Sequence, residues 1–120
     1  MNNPSDFLKF AIKTAKSAGK IQMKYFGNVS ALKSKSTNID LLTNADIESE
    51  KYIIKQIKQK YSNHSILAEE SGEHLNSSEY QWIIDPLDGT TNFAHNLPIF
   101  SISIALKINE ETECGVVYNP

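Results

Sequence analysis

Apolar residues recur at helical spacing in the first half of the chain and at strand spacing in the second. From Ser5 to about Phe26, positions Phe7, Phe10, Ala11, Thr14, Ala18, Ile21 and Tyr25 step by three and four. That is the stripe of an amphipathic helix, and Gly27 is placed to stop it. The polar stretch 28–38 carries only Val29 and Leu32 as apolar anchors and suits a short hairpin. A second helix is predicted to open near Thr43-Asn44-Ala45-Asp46, an approximate capping box. Its buried stripe would be Ile47, Ile54, Ile57 and Tyr61, with Ile53 beside it, and Lys51, Lys55 and Lys58 would cover the outside.

After the polar break Ser62–Ser65 the spacing changes. Ile66-Leu67-Ala68 reads as a short buried strand ending in Glu69-Glu70-Ser71-Gly72, and 73–79 reads as loop. Tyr80–Ile84 is another strand. Phe100, Ile102, Ile104, Leu106 and Ile108 then alternate with polar or small residues, a clear half-buried strand. Asn109–Thr112 makes a turn, and Glu113–Tyr118 returns as the hairpin partner. Two helices followed by hairpin-joined strands predict an α+β fold, with both helices packed on an antiparallel sheet.

Composition narrows the class. A chain of 120 residues with 40% apolar content forms one domain or part of one. No run has the length of a membrane-spanning helix, and no signal-peptide core is present, so a cytoplasmic protein without a membrane partner is expected. The single cysteine, Cys114, cannot form an internal disulfide. The net charge of −2 neither favours nor disfavours nucleic acid. All twelve basic residues are lysine, so the guanidinium fork is missing and no nucleic-acid partner is expected. Lys9, Lys13, Lys16, Lys20 and Lys24 read as a solvated helix face. His64, His74 and His95 lack metal spacing and read as surface or loop histidines.

The chemistry concentrates in Trp82-Ile83-Ile84-Asp85-Pro86-Leu87-Asp88-Gly89-Thr90-Thr91-Asn92-Phe93. An apolar strand ends in two carboxylates and turns at a glycine toward a helix start, which suits a hard cation and a phosphate. Asp85 could bridge two cations, the Leu87 carbonyl could act as a neutral ligand, and Asp88 could hold the second ion. Glu69 could reach the first ion from a neighbouring strand, although adjacent strand acids such as Glu69 and Glu70 point in opposite directions. Asp40, before the second helix, is either a turn carboxylate or a site acid that holds the Thr90 hydroxyl beside an attacking water. Three rival motifs fail on spacing. An EF-hand alternates its acids, a P-loop needs Gly-Lys-Ser/Thr where this chain has Gly19-Lys20-Ile21, and an aspartyl phosphatase motif separates its acids by one residue.

The same residues resemble the first signature of the inositol monophosphatase family. Support is spread along the chain: Asp40-Leu41-Leu42-Thr43 with Asp46, Leu67–Ser71, Leu97-Pro98 with the strand after it, and Gly115–Pro120. The resemblance implies the N-terminal part of the αβαβα layered fold shared with fructose-1,6-bisphosphatase. It implies Mg²⁺ held by Glu69, Asp85, the Leu87 carbonyl and Asp88, with Asp40, Glu69 and Thr90 as catalytic residues. Glu69, Leu87, Asp88, Gly89 and Thr90 would line the substrate site. The implied reaction is hydrolysis of a small phosphorylated polyol or sugar, foremost inositol 1-phosphate, by metal-activated water in a homodimer. Fructose-1,6-bisphosphatase and 3′(2′),5′-bisphosphate nucleotidase are the enzyme alternatives. Residues 1–120 would be the N-terminal part of one domain whose C-terminal part, with a further metal-binding aspartate, is absent. A catalytically silent family member that binds metal or a partner is the remaining alternative.

Overall fold

The structure, a computed structural model, describes residues 4–27, 31–34 and 41–120. Helix α1 (Pro4–Tyr25) is followed by two short strands, β1 (Ala31–Ser34) and β2 (Leu41–Thr43), and by helix α2 (Asn44–Lys60). Strands β3 (Ser65–Ala68), β4 (Gly72–His74) and β5 (Tyr80–Asp88) come next. A five-residue helix α3 (Thr90–Ala94) then precedes β6 (Ser101–Ile108) and β7 (Glu111–Tyr118). As expected, α1 ends at Gly27, whose φ of 87° is the left-handed geometry that glycine adopts without strain. In the 28–38 region β1 pairs antiparallel with β2, and residues 28–30 and 35–40 lie outside the described set.

The main sheet runs in the order β4-β3-β5-β6-β7. The helices pack on one face of it, so the α+β class is as expected, but the sheet is mixed because β3 and β5 run parallel. Every other neighbouring pair is antiparallel. Residues 72–74, expected in a loop, form β4, with Ile66 opposite His74 and Ala68 opposite Gly72. Three residues with no apolar repeat offer no periodic signal; hairpin pairing with β3 makes this strand.

The core lies between the sheet and the helices. Phe7, Phe10, Ala11, Ala15 and Ala18 of α1 meet Ile53 and Ile57 of α2 over Trp82, Ile84, Ile102, Ile104 and Leu106. Burying each of the larger aliphatic side chains is worth about 1.5–3 kcal/mol. The expected α2 stripe needs correction. Ile47 and Ile54 are only half-buried, while Ala45, Asp46, Ser49, Glu50, Ile53 and Ile57 face inward. The first half of α2 lies over strand ends, where turn amides need partners, and only its second half lies over the apolar part of the sheet.

His64 also departs from expectation. It is buried, not on the surface. Its ring stacks between Tyr61 at 4.7 Å and Tyr80 at 4.5 Å, and its Nδ1 accepts a hydrogen bond from Trp82 Nε1 at 3.0 Å. Burial lowers its pKa from the ordinary 6.5, and the bond from Trp82 requires an unprotonated Nδ1. Between the lowered pKa and 6.5 the unfolded chain therefore binds more protons than the folded one. Stability contributed by this group is complete above pH 6.5, falls as pH drops below it, and levels off beneath the folded pKa. Denaturant melts from pH 8 to 5 should show this loss, and His64→Phe, which keeps the stack, should remove its slope; an unchanged slope in that variant would contradict the assignment.

Candidate active site

The parallel pair creates the site. Ala68 on β3 is opposite Ile84 on β5, and the Glu69 N–H continues the ladder to the Ile84 carbonyl at 3.2 Å. Glu69 thus emerges beside Asp85 at the carboxyl ends of two adjacent parallel strands, where open α/β sheets bind ligands. Alternation puts Glu69 on the same face as half-exposed Leu67, away from buried Ala68.

Asp85 and Asp88 stand three residues apart and would lie on opposite faces of a regular strand. A β-bulge changes this. Asp85 is opposite Ser103 and Asp88 opposite Ser101, so three steps along β5 match two along β6. Because Ser101 and Ser103 share a face, both aspartates share one as well. The bulge also releases backbone groups. The Pro86 carbonyl accepts a hydrogen bond from Gln22 Nε2 of α1, and the Leu87 carbonyl stands 3.1 Å from the Thr90 hydroxyl oxygen, competing with Asp46 for its single proton. Asp85 Oδ1 accepts from the Leu87 N–H at 3.3 Å. Leu87 itself is buried with Ala45, Phe93 and Phe100, anchoring the bulge from below.

The acid that meets Thr90 is Asp46. Buried Thr90 donates through Oγ1 to Asp46 Oδ1 at 3.0 Å, and Asp46 is fully buried in the first turn of α2. Asp40, expected in that role, lies outside the described residues. In the sequence Asp46 stands out only through the approximate capping box and the family resemblance, and Gln22 belongs to no motif. Both are polar residues on otherwise buried helical faces, which is the signal that could have found them.

Gly89 makes the turn from β5 into α3. Its φ is 93°, and a Cβ there would stand 2.9 Å from the Ile99 carbonyl oxygen. Asn92 Nδ2 bonds the same carbonyl at 2.9 Å, so the 95–100 loop folds back onto the glycine. With α3 only five residues long, a phosphate oxygen at Gly89 and Thr90 would be held by individual N–H groups more than by a summed helix dipole.

Glu69, Asp85, the Leu87 carbonyl and Asp88 form an all-oxygen donor set at one strand end, which suits Mg²⁺ and is unsuited to softer metals. Among the described residues, no three His, Cys, Asp or Glu side chains are drawn together closely enough to enclose an ion. The match to Mg²⁺ therefore rests on the chemistry of the oxygen donors. A thiol mechanism is disfavoured, because burial, with Glu113 adding to it, pushes the Cys114 thiol up.

Comparison with known proteins agrees with this geometry. Residues 3–120 match the family model described as the Inositol monophosphatase family. The chain belongs to this family. Nus factor SuhB of Pasteurella multocida is 47% identical over 116 residues, covering 94% of this chain and 43% of that protein. Among solved structures, the Thermotoga maritima IMPase superposes with a TM-score of 0.88 at 38% identity, covering 96% of this chain and 44% of that one. The extragenic suppressor protein suhB of Bartonella henselae gives a TM-score of 0.89 at 34% identity, covering 96% and 45%. The chain thus spans less than half the length of these relatives, as the N-terminal portion of the family fold. Among the described residues no helix is long and apolar enough to cross a membrane.

The family signature demands glycine at position 89 for a local reason. Gly89→Ala places a side chain in left-handed backbone and against a main-chain oxygen, a cost of about 1–3 kcal/mol from the backbone alone. A lowered midpoint in urea unfolding checks this; wild-type stability in that variant would contradict the turn geometry.

Proposed function

We propose that the protein is a magnesium-dependent phosphomonoesterase acting on a small polyol or sugar phosphate, with inositol 1-phosphate the first candidate. One observation supports this reading most: the Thr90 hydroxyl is held by a buried carboxylate, Asp46, next to the strand ends that carry Glu69, Asp85 and Asp88. A hydroxyl that gives its own proton to a carboxylate keeps its lone pairs free to accept one from water. Thr90 can therefore orient a water for in-line attack and pass its proton toward Asp46. Glu69, exposed at the end of β3, offers a second acceptor from the opposite side. The Gly89 and Thr90 N–H groups at the start of α3 would hold a phosphate oxygen. Mg²⁺, when bound by Glu69, Asp85, the Leu87 carbonyl and Asp88, supplies charge neutralisation on the phosphoryl group and a lowered pKa for water.

The reading extends to the whole protein as a cytoplasmic homodimer, in keeping with an unpaired cysteine. The name of the curated relatives, Nus factor SuhB, favours a second reading. A role as a Nus factor would rest on a macromolecular partner rather than on hydrolysis. It goes against the expectation of no nucleic-acid partner and fits the alternative of a family member that binds a partner.

Phosphate release from inositol 1-phosphate, fructose 1,6-bisphosphate and a 3′,5′-bisphosphate nucleotide decides substrate class. Activity should require Mg²⁺, and Asp85→Asn should abolish it. Asp46→Asn and Thr90→Val should each lower kcat by about 10²–10⁴-fold, while Asp40→Asn costs far less. Full activity of Asp85→Asn or Asp46→Asn would overturn the mechanism. Complementation of a SuhB-deficient strain by Asp85→Asn would favour the second reading.

A further inference from the structure

Glu50 lies on α2 one helical turn beyond Asp46, on the same inward face, and is only 4% exposed. A carboxylate taken out of water is costly unless its oxygens are hydrogen-bonded. Both are. Oε1 accepts from the Glu70 N–H and Oε2 from the Ser71 N–H, each at 2.8 Å. These are charge-assisted bonds, roughly twice as strong as neutral ones. With the Glu69 N–H on the Ile84 carbonyl, three successive amides of the turn after β3 are fixed, one to β5 and two to α2.

The consequence concerns Glu69. Its side chain is exposed at the strand end, so its position is set by the backbone that carries it. That backbone follows directly after a parallel strand of only four residues, and Gly72, with φ of 82°, allows the chain to reverse into β4. Short strands and tight turns are weakly determined on their own. A buried carboxylate gripping two adjacent amides supplies the missing constraint. Helix α2 thereby holds both sides of the site: Asp46 fixes the Thr90 turn, and Glu50 fixes the Glu69 turn four residues along the same helix.

We propose that Glu50 is a positioning residue that registers Glu69 against Asp85 and so sets the affinity for magnesium. It touches neither substrate nor metal and acts through the turn it holds. The proposal rests on the phosphatase reading above, and its test separates the two. Glu50→Gln keeps the volume and one acceptor oxygen but turns an amide donor toward the other N–H; Glu50→Ala removes both acceptors.

In the intact protein, amide exchange at Glu70 and Ser71 should quicken by tenfold or more in Glu50→Ala, while exchange in β5 and β6 stays as in the wild type. Calorimetric titration with Mg²⁺ should show affinity weakened by about 10–100-fold, the range for residues that orient metal ligands. Phosphatase kcat at saturating Mg²⁺ should remain within a few-fold, because the ligand itself is intact, and Glu50→Gln should fall between the two. If Glu50→Ala does not fold, Glu50→Gln carries the comparison. Faster exchange at Glu70 and Ser71 with wild-type Mg²⁺ affinity would reduce Glu50 to a structural tie and overturn the proposal, as would unchanged exchange. Wild-type protein that binds no Mg²⁺ would overturn the phosphatase reading, and this proposal with it.

Discussion

The site depends on one irregularity in β5. A single extra residue opposite β6 turns an i, i+3 pair of aspartates into same-face neighbours and takes the Pro86 and Leu87 carbonyls out of the ladder. Without it Asp85 and Asp88, an odd number of residues apart, would project from opposite sides of the sheet. Pro86 suits this position because it has no N–H to leave unpaired. The bulge is held by apolar packing of Leu87 against Phe93 and Phe100, and by Gln22 from α1 on the Pro86 carbonyl. Local disorder in the ladder is thus paid for by long-range contacts, as is common beside active sites.

The same logic runs through both long helices. Each carries an apolar stripe that packs on the sheet, and each interrupts it with polar residues where the stripe passes over a turn. Gln22, Asp46 and Glu50 are all buried, and each hydrogen-bonds a group between Glu70 and Thr90. Such buried hydrogen bonds add little net stability but strongly disfavour alternative arrangements, although Gln22 bonds only through Nε2 and its buried Oε1 has no partner. The helices therefore do two jobs. Their apolar residues drive collapse, and their few inward polar residues set the alignment of the strand ends.

Much of this was legible beforehand. The stripe of α1, the alternation of β6 and the strand-to-turn character of 80–93 are long periodic signals, and the signature within them names the family. What failed was non-periodic or non-local. β4 exists only because β3 offers it an edge, and the parallel pairing of β3 with β5 is a matter of topology that no window of sequence contains. His64 looked like a loop residue because its aromatic partners lie on three separate elements. Asp46 reads locally as a cap, whereas its bond to Thr90 spans 44 positions.

Titration of isotopically labelled protein with substoichiometric Mn²⁺, read as paramagnetic broadening of its amide resonances, tests the proposed magnesium site at the ends of β3 and β5. Glu69 and the segment Asp85–Thr90 should broaden first, and excess Mg²⁺ should restore them. Broadening that begins at Glu110 of the β6–β7 turn or at Glu111 and Glu113 of β7, or that Mg²⁺ does not reverse, would rule the site out.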